Sequence, residues 1–286
     1  MQTFHVSFPG LGIHDLVIPR VAFELNLLGR KVPIYFYGIL IMFGFLLGLI
    51  LAYRQAEDYG LTKDDVLDVF LVTLPSSIIG ARLYYVIFSW NMYKDNIARA
   101  FDIRDGGMGF YGGVLASLLA IYLLSRKKKI KLSLFFDFFA PYLALGQAIG
   151  RWGNFFNQEA FGVATDLPWG MLSDGTIAYL EGINYPYAHN PVHPTFFYEF
   201  LGNMIIFAIL MHRRKRSELD FEVTALYFLL YGLLRFIVEG LRTDSLYIGQ
   251  TDLRVSQLLS LIMVVCSLIY LIYGYRKQRK DHADSV

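Results

Sequence analysis

The chain has 286 residues, 55% hydrophobic and 17% charged, with a formal net charge of +2 and a mean hydropathy of +0.43. That composition excludes an ordinary soluble domain and reads as a polytopic membrane protein. The small net charge says little, because the information lies in where the charges fall; no nucleic-acid partner is expected.

The N-terminal segment MQTFHVSFPGLGIHDLVIPR has no basic region followed by a continuous apolar core. Pro9, Gly10, Gly12, Asp15 and Pro19 interrupt it, so no cleaved signal peptide is expected. Seven apolar runs of about 17 to 25 residues follow, the length of a membrane-spanning helix. They cover roughly 33–54, 66–90, 107–125, 132–150, 194–211, 222–241 and 254–274. The expected fold is therefore all-α: one integral membrane domain over 1–286 with seven transmembrane helices.

In the first run, Gly38, Gly44 and Gly48 recur at intervals suited to close helix contact, with Tyr35 and Tyr37 as interfacial aromatics. The second carries Arg82, an intramembrane cation that either snorkels to the interface or binds a ligand. The third opens with Asp105-Gly106-Gly107-Met108-Gly109-Phe110-Tyr111-Gly112-Gly113. So many glycines weaken a helix start but let a ligand approach free amides that favour an anion.

Where the fourth run ends, Gly150-Arg151-Trp152-Gly153-Asn154-Phe155-Phe156-Asn157-Gln158-Glu159 packs a cation, amides and a carboxylate at a membrane boundary. Each is costly there without a partner, so this cluster is the strongest candidate site, and its ligand is expected to be anionic. The segment 151–193, about 43 residues, is too long for a simple connection and predicts a small external subdomain. His193 and Pro194 open the fifth run, with proline in its preferred first helical turn. In the sixth, Arg235 and Glu239 stand four apart and share a helical face; Arg242 follows. Taken alone, Arg235 and Glu239 read as a self-neutralising ion pair. Cys266 in the last run reads as a small buried apolar residue.

Basic residues set the orientation. Arg54 and Lys63, the run Arg126 to Lys131, the run Arg213 to Arg216, and Arg276, Lys277, Arg279 and Lys280 fall on one side, which predicts a cytoplasmic C-terminus and an external N-terminus. The first helix taken alone argues the reverse, since Arg30 and Lys31 precede it; the compact clusters outweigh it. Arg151, Arg235 and Arg242 then lie near outer helix ends, where planar guanidiniums suit a phospholipid phosphate.

These blocks carry a resemblance. GRWGNFFNQEAFG at Gly150 to Gly162, Tyr35-Phe36-Tyr37-Gly38, His193-Pro194-Thr195-Phe196-Phe197-Tyr198-Glu199, and Arg235 to Arg242 resemble, in order, the bacterial phosphatidylglycerol–prolipoprotein diacylglyceryl transferase family. The likeness runs from about residue 15 to 275. It implies transfer of diacylglyceryl from phosphatidylglycerol to the cysteine thiol of a prolipoprotein signal peptide at the bacterial inner membrane, releasing glycerol 1-phosphate. It further implies that Arg151 and Arg235 act on the phosphate and leaving group. Asn154, Asn157 and Glu159 would orient the headgroup or those arginines, with Gly153 and Gly162 allowing close approach. Tyr37, His193, Tyr198, Glu199, Glu239, Arg242 and Arg82 complete the expected substrate-binding set. Many members of the family have histidine, proposed as the base, where this chain has Tyr111. Tyrosine, with a pKa near 10, is a poor base at neutral pH. Either Tyr111 positions substrate while the arginines' field ionises the thiol, or His193 or Glu239 takes the proton.

No metal-ligand spacing, P-loop or dinucleotide fingerprint occurs, so no metal or cofactor is expected. The competing reading is a transporter or binding protein for anionic lipids. Against it, the chain has no repeated halves and no paired interrupted helices.

Overall fold

The computed structural model describes residues 3–27, 29–102, 106–249 and 251–283. Asp105, at the head of the third apolar run, lies outside the described residues. Each of the seven runs forms a helix, though the first loses its residues 33–35 to a strand and the third begins only at Phe110: α1 Phe36–Gln55, α2 Lys63–Phe88, α3 Phe110–Lys128, α4 Leu132–Asn157, then, beyond a short α5 Asp174–Gly182, α6 Thr195–Arg213, α7 Glu222–Glu239 and α8 Val255–Ala283. Five of them, α1, α2, α4, α6 with its extension to Arg216, and α8, are long and apolar enough to cross a membrane. The chain is a multi-pass membrane protein. Composition sets the other two apart: α3 ends in Arg126-Lys127-Lys128, and α7 carries Glu222, Arg235 and Glu239 within 18 residues.

The all-α expectation holds for the apolar runs and fails at the N-terminus. Strands β1 Thr3–Phe8, β2 Ile13–Pro19, β3 Val21–Leu27 and β4 Arg30–Tyr35 precede α1, and β5 Leu172–Ser173 comes later. In β1, Phe4, Val6 and Phe8 alternate with His5 and Ser7, the period-2 pattern of a half-buried strand. A search for helix-length apolar runs does not register strands of six or seven residues. β1 pairs antiparallel with both β2 and β5, giving the order β2-β1-β5, while β3 and β4 form a separate hairpin. Gly29, at φ +79°, turns that hairpin; the left-handed region suits glycine.

The chain forms two compact units. The first joins residues 1–48 to 140–286. There Gly44 lies against Gly146 and Ile149, and Gly48 against Tyr142, as the glycine spacing predicts, whereas a Cβ at Gly38 would meet nothing within 4 Å. Ala140, Ala144, Ile206, Leu210, Val223 and Tyr227 form one buried cluster of this unit. A second gathers Val6, Phe155, Phe161, Met171, Leu180, Val192 and Phe196, so the N-terminal strands and the segment after α4 share a small core. At one end, Arg213 Nε meets Glu222 Oε1 at 2.5 Å, and Glu222 Oε2 accepts from the amides of Glu218 and Leu219, closing the loop before α7.

In the second unit, 49–139, α2 and α3 cross closely at Gly80 and Gly112, where a Cβ on either would collide with the other helix. A capping box between Thr62 and Asp65 starts α2. Asp65 and Asp68 then hold Lys128, in the last turn of α3, at 2.7 and 2.6 Å. Cys266 lies on the exposed face of α8 rather than buried. Lipid is as apolar as a protein core, so hydropathy does not distinguish a lipid-facing position from an internal one.

Candidate active site

α4 continues to Asn157, about two turns beyond the expected end at 150. The charge at Arg151 ends the apolar run, but Trp152, Phe155 and Phe156 continue the helix's apolar side into the small core. Arg151 and Asn154 are therefore three apart on one helical face, and Arg151 Nη1 donates to Asn154 Oδ1 at 3.4 Å. Past Asn157, Gln158 and Ala160 take the left-handed conformation (φ 52° and 58°), costing about 1–2 kcal/mol per non-glycine residue. The reversal folds Glu159 back onto the helix end. Its Oε1 accepts from Asn154 Nδ2 at 2.9 Å and Asn157 Nδ2 at 3.3 Å.

Glu199, in the second turn of α6, is fully buried. Its Oε1 lies 2.9 Å from Arg151 Nη2 and 3.1 Å from Arg235 Nη1. Arg235 Nη2 in turn meets Glu239 Oε2 at 2.5 Å. The Arg235–Glu239 pair read from the sequence is thus half of a larger array in which one buried carboxylate joins arginines from two helices. Both guanidiniums retain some access, with side-chain exposures of 19% for Arg151 and 16% for Arg235. Glu199 Oε2 is buried with no hydrogen-bond partner among the described residues.

Three further segments are laced beside this array by backbone bonds. Gly162 N–H donates to His193 O at 2.9 Å, His193 N–H to Val163 O at 3.0 Å, and Val163 N–H to Leu241 O at 2.8 Å. A Cβ on Gly162 would lie 2.8 Å from His193 Cβ and 3.0 Å from Leu241 O. On Gly153 it would lie 2.5 Å from Tyr37 Cδ2. Both glycines permit close approach by other parts of the protein, Tyr37 included. Arg242 is held by both oxygens of Asp244, at 2.8 and 2.7 Å. Burial pushes the Asp244 carboxyl up, but the paired Arg242 outweighs it and holds the group below the usual carboxylate range.

Trp169, Tyr198 and His193 form a chain. The indole Nε1 of Trp169 donates to Tyr198 Oη at 2.7 Å, and that hydroxyl lies 3.1 Å from His193 Nδ1. An indole only donates, so Tyr198 accepts from Trp169; toward His193 its hydroxyl can either donate to Nδ1 or accept from Nδ1–H through its second lone pair, and the latter tautomer leaves Nε2 as an acceptor. Burial holds the His193 pKa below its ordinary value, which favours the neutral imidazole.

Two expected residues belong to the 49–139 unit. Tyr111, second in α3, is 49% exposed and edge-on to Phe110. Arg82 is buried, and its five donors reach the carbonyls of Arg99, Ala100, Asp102, Gly106 and Gly107 at 2.6–3.0 Å, with the guanidinium over the Tyr93 ring. A guanidinium has five N–H groups, so every one is engaged. The geometry replaces the expected ligand role of Arg82 with a structural one: it holds the loop before α3.

Residues the sequence did not single out as site residues are Trp169, Asp244 and Arg20, whose Nε donates to Asn157 Oδ1 at 3.2 Å. Asp244 had a local signal, standing two residues after an arginine. Trp169 and Arg20 reach their partners only through the fold.

The family profile described as prolipoprotein diacylglyceryl transferase matches residues 21–273. Proteins named phosphatidylglycerol–prolipoprotein diacylglyceryl transferase are similar over nearly the whole chain. The one from Finegoldia magna is 45% identical over 260 residues, covering 91% of this chain and 96% of that protein. The one from Clostridioides difficile strain 630 is 39% identical over 262 residues, covering 92% and 98%. The one from Bacillus cereus strain G9842 is 41% identical over 269 residues, covering 92% and 95%.

Proposed function

The chain belongs to the prolipoprotein diacylglyceryl transferase family, and from that premise we propose that it transfers the diacylglyceryl group of phosphatidylglycerol to the cysteine thiol of a prolipoprotein signal peptide. The sulfur attacks the glycerol carbon bearing the phosphodiester oxygen. A carbon–sulfur bond forms, the carbon–oxygen bond breaks with its electron pair on oxygen, and glycerol 1-phosphate leaves. This is the first step of lipoprotein maturation. The observation that carries the reading is the meeting of Arg151 and Arg235 on the buried Glu199. Two guanidiniums from different helices, fixed by one carboxylate and still accessible, are preorganised to receive the charge that develops on a departing phosphate.

In this reading Arg151 and Arg235 bind the phosphate. Glu199 and Glu239 hold the arginines, and Asn154, Asn157 and Glu159 orient Arg151 and the headgroup. Tyr37 and Arg242 border the substrate. The arginines' field favours the attacking thiolate, whose free pKa is near 8.5. His193, neutral and linked to Tyr198, is the group suited to accept the thiol proton, whereas Glu239 is committed to Arg235.

All seven long helices cross the membrane in this reading. The N-terminus and the 151–193 subdomain lie outside and the C-terminus in the cytoplasm, as in a bacterial inner-membrane enzyme acting at the outer leaflet. The charges of α7 are tolerated because Arg235 is neutralised within the array, and those of α3 because they stand at the cytoplasmic end.

The test uses purified protein with phosphatidylglycerol and a signal peptide bearing one cysteine, and follows the peptide mass. The expected result is a gain of one diacylglyceryl group, absent when the cysteine is replaced by serine. No gain from folded, lipid-bound protein would favour a lipid transporter or another lipid transfer.

A further inference from the structure

Three guanidiniums of the site are paired with three carboxylates: Arg151 and Arg235 with Glu199, Arg235 with Glu239, and Arg242 with Asp244. The last pair belongs to the same electrostatic neighbourhood, since the charges of Glu199 and Glu239 act on Arg242 and that of Arg235 acts on Asp244. The paired charges cancel, so an anion that enters brings its charge up against carboxylates already in place. Its entry is favoured when one of them withdraws.

The three carboxylates differ in their freedom to withdraw. Glu199 and Glu239 are buried on helices, so parting either from its arginine leaves a buried charge uncompensated. The Asp244 side chain is 33% exposed and lies beyond the end of α7, where its carboxylate can turn to water. Arg242 is fixed by its backbone: it bridges to Gly162, and its amide donates to Glu239 O at 3.2 Å. Thr243 N–H donates to Phe161 O at 3.4 Å, and Asp244 follows that bond.

Asp244 takes the edge of the Arg242 guanidinium formed by Nε and Nη2, one oxygen on each, at 2.8 and 2.7 Å. Two parallel N–H···O bonds from one edge are also how a guanidinium holds a phosphate. Carboxylate and phosphate therefore compete for the same donors. We infer that Asp244 is a positioning residue that the phosphate displaces: it aligns Arg242 before the lipid arrives, gives up the Nε–Nη2 edge to the lipid phosphate, and reclaims it as glycerol 1-phosphate leaves. Asp244 thereby sets the affinity for substrate and product alike.

That role rests on the transferase reading for the identity of the phosphate, and its test includes binding without turnover. Purified protein in detergent is titrated with glycerol 1-phosphate and with inorganic phosphate by calorimetry. The wild type is compared with Asp244→Asn, which keeps an acceptor oxygen for Arg242 and loses the charge, and with Asp244→Ala. Both variants are expected to bind the probes about fivefold more tightly, the upper end for one partly exposed ion pair. The KM for phosphatidylglycerol and the inhibition constant of glycerol 1-phosphate should fall together with it. In an Arg242→Gln background the change at Asp244 should have no effect, because the contested edge is gone. Weaker binding and a raised KM in both variants would make Asp244 a fixed support of Arg242 and overturn the displacement, as would unchanged affinity. Tighter binding that persists in the Arg242→Gln background overturns the assignment to that arginine. Tighter binding by the variants of a protein that fails to modify the peptide would sink the transferase reading and leave the displacement standing.

Discussion

Arg151 on α4 and Glu199 on α6 form an ion pair of 2.9 Å in which the carboxylate is wholly buried, and the same oxygen reaches Arg235 on α7 at 3.1 Å. Removing the carboxylate leaves two guanidiniums facing each other without their shared counter-charge. Breaking a buried pair from one side costs about 3–5 kcal/mol. Glu199→Ala is therefore expected to lower Tm in detergent clearly, and Glu199→Gln, which keeps an acceptor oxygen, to lower it less while still reducing turnover. An unchanged Tm in the alanine variant would remove Glu199 from its structural role.

Arg151→Ala and Arg235→Ala each take away donors aimed at the leaving phosphate. The expected loss in kcat is on the order of 10²–10³, the usual effect of deleting one transition-state donor. Arg151→Lys should recover little, because an ammonium lacks the planar fork. Wild-type turnover from membrane-inserted Arg151→Ala would sink the phosphate assignment.

Arg82 engages five backbone carbonyls between Arg99 and Gly107. Lysine offers at most three donors, so Arg82→Lys strands at least two of those acceptors, at about 1–3 kcal/mol each if they stay buried. The expected phenotype is a lower Tm and faster tryptic cleavage at Arg99. A stable variant with a raised KM would instead restore Arg82 to the substrate.

Burial depresses the His193 pKa, so the folded protein prefers the neutral ring. As pH falls through about 6.5, the ordinary histidine value, the unfolded chain binds a proton that the native ring resists. The unfolded state then holds more protons, and stability declines with acidification. The contribution of His193 is thus complete above about pH 6.5 and is lost as pH drops through the lower, folded value. His193→Gln is expected to flatten that stretch of the Tm–pH curve. A variant that declines as steeply as the wild type would place the acid sensitivity elsewhere.

Long-range composition was legible because a membrane helix must satisfy its own backbone and present apolar side chains over its whole length. That requirement made the five membrane-length helices visible as runs, and α3 and α7 were visible by their apolar residues as well. The strands of the N-terminal 35 residues escaped the same search because each is only six or seven residues long, and the last two turns of α4 escaped because Arg151 interrupts the run. Gly44 and Gly48 illustrate local legibility: glycine spacing predicts a close crossing, and α4 supplies it. Gly38 fits the same spacing but packs against nothing, since sequence does not say what lies opposite a helix face.

The sequence by itself determined that this is a multi-pass helical protein, and its ordered blocks carried the family likeness; helix length, apolarity and blocks such as GRWGNFFNQEAFG are properties of contiguous residues. Only the tertiary structure decided which charges meet. Arg235 and Glu239 are linked by one turn of helix and were readable together, whereas Glu199 stands 36 residues from Arg235 in the chain and joins it only through helix packing. The same holds for Arg82, which the sequence left between snorkelling and binding a ligand and which the structure shows meeting five backbone carbonyls. Charge pairing within a few ångströms is a matter of distance in space, which helix packing sets and no spacing along the chain records.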